Sequence, residues 1–152
     1  MIVGYDLDGT ICEKSSIDKK WGDCNGMERK AFQLIRETHY KTAQLVFRPV
    51  EKEYTIITAR NKKYAEITLQ WLVLASLSPI SIHFIDRART RDNMIEYKSE
   101  KINELGLDKY YEDDEKIVSK LRKLCQSTEI ILVTPITRNY ILNNFLHPPL
   151  QF

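Results

Sequence analysis

Short β-branched and apolar runs alternate along this chain with longer stretches of helical periodicity, and that alternation restricts the fold more than any other feature. Strands are expected at 2–7, 54–59, 81–86, 109–112 and 129–134. Helices are expected at 27–38, 62–77, 93–105 and 137–146, and a further one carries the stripe Ile117, Val118, Leu121, Leu124 and Cys125 at i, i+1, i+4, i+7 and i+8. Strands that alternate with helices pair in parallel and lie under helices on both faces, so they read as continuous apolar runs. The expectation is an α/β fold: a single-domain three-layer α/β/α arrangement with a mainly parallel central sheet of about five strands. The 152 residues suffice for one core and one domain, 1–152. Gly106 suits the end of the helix at 93–105. Segment 39–52, interrupted by Pro49, reads as a mixed connection, and Pro148 with Pro149 ends the fold.

Composition excludes several classes. Lys and Arg total 23 against 21 Asp and Glu, a net charge of +2, which does not announce a nucleic-acid binder but leaves room for local basic patches. Cys12, Cys24 and Cys125 are odd in number and lack CxxC spacing, which argues against a disulfide framework or a structural zinc site and for reduced thiols. No stretch approaches about 18 consecutive apolar residues, and no basic segment leads into a long apolar run, so a cytoplasmic chain with no membrane partner is expected.

Chemistry concentrates at expected strand ends. In "VGYDLDGTIC" Asp6 stands where a central strand finishes, the position at which open α/β sheets place their ligand crevice. Asp8, two residues on in extended chain, points to the same side. Gly9 permits a sharp exit that brings backbone N–H groups toward an anion. Two carboxylates following a buried strand repel one another without a cation, so the arrangement suits a phosphate with a divalent ion. "YTIITAR" ends in Thr58, a hydroxyl at a second strand end whose plainer reading is a cap for the helix beginning near Asn61. In "MIEYKSEKINEL" Lys98 falls near the centre of the stripe Met94, Ile95, Ile102 and Leu105, a misplaced ammonium unless it meets an anion or snorkels outward. Lys101 lies at the margin. "YYEDDEKI" ends a short strand in Glu112, Asp113 and Asp114, one of the aspartates being expected to cap the next helix. His39, His83 and His147 are scattered, and Trp71 with Leu72 reads as core.

The order Asp-x-Asp-Gly-Thr, strand-end Thr, helical Lys, strand-end Asp-Asp resembles the four motifs of the haloacid dehalogenase superfamily of phosphohydrolases, over roughly 2–118. "ITARNKKYAEITLQWL" is also similar to small uncharacterised members of that kind. The resemblance implies a Rossmann-type, Mg2+-dependent phosphomonoesterase. It makes Asp6 the nucleophile that forms an aspartyl-phosphate, and Asp8 the group that protonates the leaving oxygen and later deprotonates water. It implies magnesium on the Asp6 carboxylate, the Asp8 carbonyl and Asp113. Thr58, Lys98 and Gly9 are implied at the phosphate. Asp114 stays open between ligand and supporting partner, because Ile117 stands where the common GDxxxD pattern places its second Asp. A phosphorelay receiver domain would carry its acidic pair before the acceptor, and here the order is permuted. The competing reading is a phosphate-binding or phosphotransfer protein without significant hydrolytic turnover.

The two places where this superfamily inserts a cap hold only short segments, 11–26 and 87–93. An open site admits a macromolecular end or a phosphoprotein, or relies on a second subunit of a homo-oligomer to exclude water, and the partner expected is a phosphorylated small molecule or a nucleic-acid end. Arg87, Arg89 and Arg91 alternate in "DRARTRD", where an extended loop turns them to one side, toward a nucleic-acid backbone or a second phosphate, unless they form a solvated loop compensated by Asp86 and Asp92. Lys14, Lys19, Lys20 and Trp21 lie over the expected mouth.

Overall fold

A computed structural model of the chain describes residues 1–15 and 26–146. Five strands, β1 (Val3–Tyr5), β2 (Thr55–Asn61), β3 (Ser81–Ile85), β4 (Lys109–Glu112) and β5 (Glu129–Leu132), form one sheet in the order β3-β2-β1-β4-β5. Every neighbouring pair is parallel, as the alternation requires. The helices are α1 (Gly26–Thr42), α2 (Ala65–Leu74), α3 (Arg91–Leu105), α4 (Glu115–Leu124) and α5 (Pro135–Leu146). No helix among the described residues is long and apolar enough to cross a membrane.

The sheet is buried on both faces, and adjacent residues of one strand serve different cores. Ile56 and Tyr111 pack with Trp71 and Leu72 of α2 and with Ala43 and Phe47, beside Ile141 and Leu142 of α5. Their neighbours Ile57 and Tyr110 pack instead with Tyr97 and Ile102 of α3 and Ile117, Val118 and Leu121 of α4. This is the side-to-side alternation of an extended chain read out as two apolar layers. Trp71 is core, and its indole N–H donates to the Ala43 carbonyl at 2.9 Å.

The chain leaves β1 for β2 and β3 on one side, then crosses back over β1 to β4 and β5 on the other. The direction of winding therefore reverses between β1 and β4, and at such a point the helices diverge and leave a crevice beyond the strand ends.

Local boundaries follow their caps. Thr90 accepts the Asn93 N–H at 3.2 Å to start α3, and Gly106 ends it at φ 60°, in the left-handed region expected of it. The single helix expected at 62–77 is divided into a 3-10 turn, Lys62–Tyr64, and the shorter α2. Asn61, not Thr58, caps that turn, accepting the Lys63 N–H at 3.0 Å, because β2 runs on to Asn61 with a register irregularity after Thr58. α2 stops at Leu74, and beyond it Arg48 holds the Ala75 and Ser76 carbonyls at 2.8 and 3.0 Å. α1 extends to Thr42, four residues beyond expectation.

Ile102 joins α3 to the sheet with no exposed surface. Ile102→Ala is expected to cost about 2–5 kcal/mol. The measurement is the denaturant midpoint, which should fall at unchanged slope.

Candidate active site

The crevice between β1 and β4 collects the carboxylates. Asp6 follows β1 directly, and its N–H donates to the Tyr111 carbonyl at 2.8 Å, extending the β1–β4 ladder by one step and bringing it beside Glu112. One oxygen each from Asp6, Glu112 and Asp113 lies within 4.8 Å of the others. From α3, Lys98 enters the same space. Its Nζ donates to Asp6 Oδ1 at 2.9 Å and to Glu112 Oε2 at 2.5 Å, and only 2 % of the residue is exposed. The stripe on α3 thus delivers the ammonium inward, as its spacing implied.

Charge in this pocket is unbalanced. Burial lifts the Asp6 carboxyl well above the ordinary range, the neighbouring Glu112 adds to the rise, and Lys98 opposes it. Burial likewise raises Glu112 against the pull of Lys98. Burial alone would depress Lys98, but the charges of Asp6 and Glu112 outweigh it and hold the ammonium well above its usual range. Three carboxylates therefore share one buried cation, while Lys14 reaches Asp113 Oδ2 only from the half-exposed rim, at 3.4 Å. Asp113 Oδ1 is buried with no hydrogen-bond partner among the described residues. An all-oxygen donor set with an orphaned carboxylate oxygen fits a hard divalent cation such as Mg2+.

Asp8 is held apart from this group by a different partner. Arg60 grips it with two parallel bonds, Nε to Oδ2 at 2.9 Å and Nη2 to Oδ1 at 2.8 Å. The guanidinium is fully buried, lies 3.8 Å over the Tyr40 ring and donates to Thr68 Oγ1 at 3.1 Å. Burial pushes the Asp8 carboxyl up, but Arg60 more than reverses it, with Arg89 assisting, and leaves Asp8 below its ordinary value. The Cys12 thiol, 3.5 Å from Asp8 Oδ1, is pushed up by burial and by that carboxylate, so it remains protonated.

Several expectations need correction. Asp114 is not in the carboxylate group: its Oδ1 caps α4, accepting the Lys116 and Ile117 N–H groups at 2.9 and 3.1 Å, and its Oδ2 lies 3.6 Å from Arg91. Of the two, Asp113 is the one whose carboxylate lies with Asp6 and Glu112. The Asp8 carboxylate is engaged by Arg60 on both oxygens, so the role expected of Asp8 at a metal stays with its backbone carbonyl. Thr58 sits inside β2, not at its end, and its hydroxyl accepts the Arg60 N–H at 3.1 Å, so Ala59 borders the cavity instead. The Gly9 N–H donates to the Cys12 carbonyl at 2.7 Å rather than facing an anion. Gly9 matters for another reason: it adopts φ 88°, and a Cβ there would stand 2.2 Å from Asp113 Oδ2.

A cavity of about 520 Å3 opens above the acidic floor. Arg89 and Arg91 border it, whereas Arg87 turns away to Asp86, Glu96 and Glu100, so the three arginines do not share one side. Arg36 of α1 also borders the cavity and is 7 % exposed. Sequence reasoning assigned no role to Glu112, Arg60 or Arg36. Arg60 in "ITAR" is, like Lys98, a charge inside an apolar run and carries the same signal of a buried anion. Nothing comparable marks Arg36, whose neighbours Leu34 and Ile35 are the exposed residues. Lys19, Lys20, Trp21 and Cys24 lie outside the described residues.

No family model and no curated protein matches the sequence. Among solved structures, a chain of the Pnkp1/Rnl/Hen1 RNA repair complex superposes with a TM-score of 0.54 at 15 % identity, over 87 % of this chain and 42 % of that one. That likeness supports the three-layer α/β fold. This chain spans less than half the length of that protein.

Gly9→Ala should displace Asp113 and lower the thermal midpoint, and, if the acidic group holds Mg2+ as its donor set allows, weaken that binding by at least about tenfold, since the position combines positive φ with a blocked Cβ. Calorimetric titration of the metal against wild type and variant checks this.

Proposed function

We propose that this chain is a Mg2+-dependent phosphomonoesterase of the haloacid dehalogenase type, working through an aspartyl-phosphate on Asp6. The observation that carries the reading is the convergence of Asp6, Glu112 and Asp113 around one space with the Lys98 ammonium 2.9 Å from Asp6. Asp6, Asp113 and the Asp8 carbonyl would hold the ion, which supplies charge neutralisation between a carboxylate and a phosphate.

In this reading the Asp6 carboxylate oxygen attacks phosphorus as the bond to the ester oxygen breaks. Lys98 opposes the rise that burial imposes on Asp6 and faces the charge that develops on the phosphoryl oxygens. Glu112 fixes Lys98 by accepting its second hydrogen bond and in turn accepts the Asp114 N–H at 3.2 Å. Water then attacks the acyl phosphate, Asp8 takes its proton, and phosphate leaves with Asp6 restored.

The acid half of the role expected for Asp8 meets an obstacle. Arg60 holds this carboxyl ionised, so it is poised as a base and carries no proton for the leaving oxygen. Esters with acidic leaving groups, such as aryl phosphates, need that proton least. The same ion pair is the observation that favours the second reading, a phosphate-binding or phosphotransfer protein with little turnover.

The deciding assay is aryl phosphate hydrolysis with and without Mg2+. Wild type should turn over only with the metal, and Asp6→Asn should lose at least about 10^3-fold. Turnover that survives chelation or Asp6→Asn at the wild-type rate overturns the proposal.

Arg60→Lys gives a second test. Without the two-pronged grip, burial raises the Asp8 carboxyl, so its protonated form persists to higher pH. The acidic limb of the kcat profile should move upward in pH, whereas it should stay in place if Arg60 acted on substrate alone, because lysine keeps the positive charge. Arg89 and Cys12 also face Asp8 and remain in the variant.

A further inference from the structure

We propose that Arg138 is a positioning residue of the site: from α5 it fixes the Gly9 carbonyl, and through Gly9 it sets Asp8 and Asp113 in place against Asp6. This rests on the phosphatase reading and adds to it a residue that does not border the cavity.

The turn that follows Asp6 is closed by its own backbone. The Leu7 carbonyl accepts the N–H groups of Thr10, Ile11 and Cys12 at 3.3, 2.9 and 3.1 Å, and the Gly9 N–H donates to the Cys12 carbonyl at 2.7 Å. The Gly9 carbonyl is engaged from outside the turn, where Arg138 Nη2 donates to it at 2.8 Å across 129 residues of chain. Gly9 is also the member of the turn with the most conformational freedom, at φ 88° and with no side chain. Its neighbours carry the chemistry. Asp8 precedes it, and the Asp113 carboxylate lies so close that a Cβ on Gly9 would stand 2.2 Å from Oδ2. A rotation about Gly9 disturbs the setting of both acids, and a tether on its carbonyl opposes that rotation.

The tether is rooted where it can hold the strand ends together. The Val133 N–H donates to the Glu112 carbonyl at 2.8 Å, which carries the chain past β5 still attached to the end of β4. Thr134 then caps α5, its hydroxyl accepting the Thr137 N–H at 3.1 Å and its carbonyl accepting the Arg138 N–H at 2.9 Å. Beyond that turn, Ile141 and Leu142 pack against the core that includes Tyr5 and Tyr111. Arg138 therefore links the turn after β1 to the frame that carries Glu112, while Lys98 links Asp6 to Glu112 from α3 on the other face. The kind of side chain fits a brace. Its partner is a neutral carbonyl, and its Nε is buried with no hydrogen-bond partner among the described residues, terms on which a guanidinium is costly to keep. What arginine adds is reach from α5 and a planar fork that loses little freedom once one arm is bound. In the phosphatase reading the Asp8 carbonyl and Asp113 hold the ion, so loosening Gly9 acts on metal binding and on kcat and leaves the binding of the ester near its original strength.

The experiment compares wild type with Arg138→Met, which keeps the bulk and removes the donors, and with Arg138→Lys, which keeps a donor. Amide hydrogen exchange read residue by residue needs no turnover: in R138M the Gly9 and Ile11 N–H groups should exchange about tenfold or more faster relative to the amides of β1. Ile102→Ala, which lowers stability from α3, should speed both together and leave that ratio at the wild-type value. Calorimetric titration should show Mg2+ binding to R138M weakened by about tenfold, and at saturating Mg2+ kcat for an aryl phosphate should fall by about tenfold with KM within about twofold of wild type. R138K should move every readout in the same direction by less, so the test survives if R138M does not fold. An unchanged exchange ratio overturns the proposal on its own. A raised ratio with Mg2+ affinity and kcat at wild-type values makes Arg138 a structural brace only and also overturns it, while sparing the phosphatase reading. A loosened turn and weakened Mg2+ binding in a chain that hydrolyses no ester support the positioning of the acids and remove the phosphatase reading. A wild type that neither binds Mg2+ nor hydrolyses an ester removes both.

Discussion

Lys98, buried between Asp6 and Glu112, is the interaction on which the rest of this structure turns. An ammonium and two carboxylates taken from water are tolerated only when their geometry repays the lost hydration, and removing one member of such a group costs about 3–5 kcal/mol. The middle of α3 must therefore settle against the ends of β1 and β4 together, and the β1–β4 pairing, Tyr5 opposite Tyr111, sets Asp6 and Glu112 side by side. The position is not arbitrary. It lies where the strand order reverses, the one place in a doubly wound sheet where helices part and polar groups at the strand ends escape burial under apolar side chains.

Two aspartates two residues apart end in opposite electrostatic states. Asp6 is raised by burial and by Glu112, while Asp8, equally hidden, is lowered by Arg60. Such divergence between neighbouring acids is how one site holds a group that seeks a cation next to one already satisfied. Arg60 accomplishes it through its surroundings as much as its charge: Tyr40 covers one face, Thr68 takes a third donor, and the irregular end of β2 aims the side chain back across the sheet. Asp8 is consequently held at both oxygens, whereas Asp113, with Gly9 pressed against it, keeps one oxygen without a hydrogen-bond partner among the described residues.

Much of this was legible in the sequence because its signals are local. Parallel strands buried on both faces announce themselves as apolar runs, and the five-stranded sheet follows from them. A lysine centred in an apolar stripe declares a buried anion, and Asp6 and Asp113 fall at the strand ends that the alternation defines. What escaped depends on partners distant in the chain. Whether Asp113 or Asp114 enters the crevice is decided by which of them caps α4, a matter of backbone direction at a single turn. Gly9 looked like an anion-binding turn, yet its amide is taken up by Cys12 and its missing side chain makes room for Asp113, a contact across more than a hundred residues. Thr58 was placed at a strand end because apolar character fades there, but β2 continues through Arg60, whose charge is invisible to hydropathy and is neutralised by Asp8 from another strand end.

The near-neutral composition, 23 basic against 21 acidic residues, hides a strong separation of charge. Acids gather at the ends of β1 and β4, where the sheet's topology opens, and arginines gather above them from α1 and the start of α3. A net charge averages these two populations to almost nothing, although they border one cavity, the basic residues toward its mouth and the acids at its floor. Field lines focused in a concave, poorly hydrated space act on an incoming charge far more than the same groups spread over a convex surface. In the proposed phosphatase reading, binding an anion and binding a metal at this site would be coupled by electrostatics, since the acids that would hold the ion are the ones that would otherwise turn the anion away.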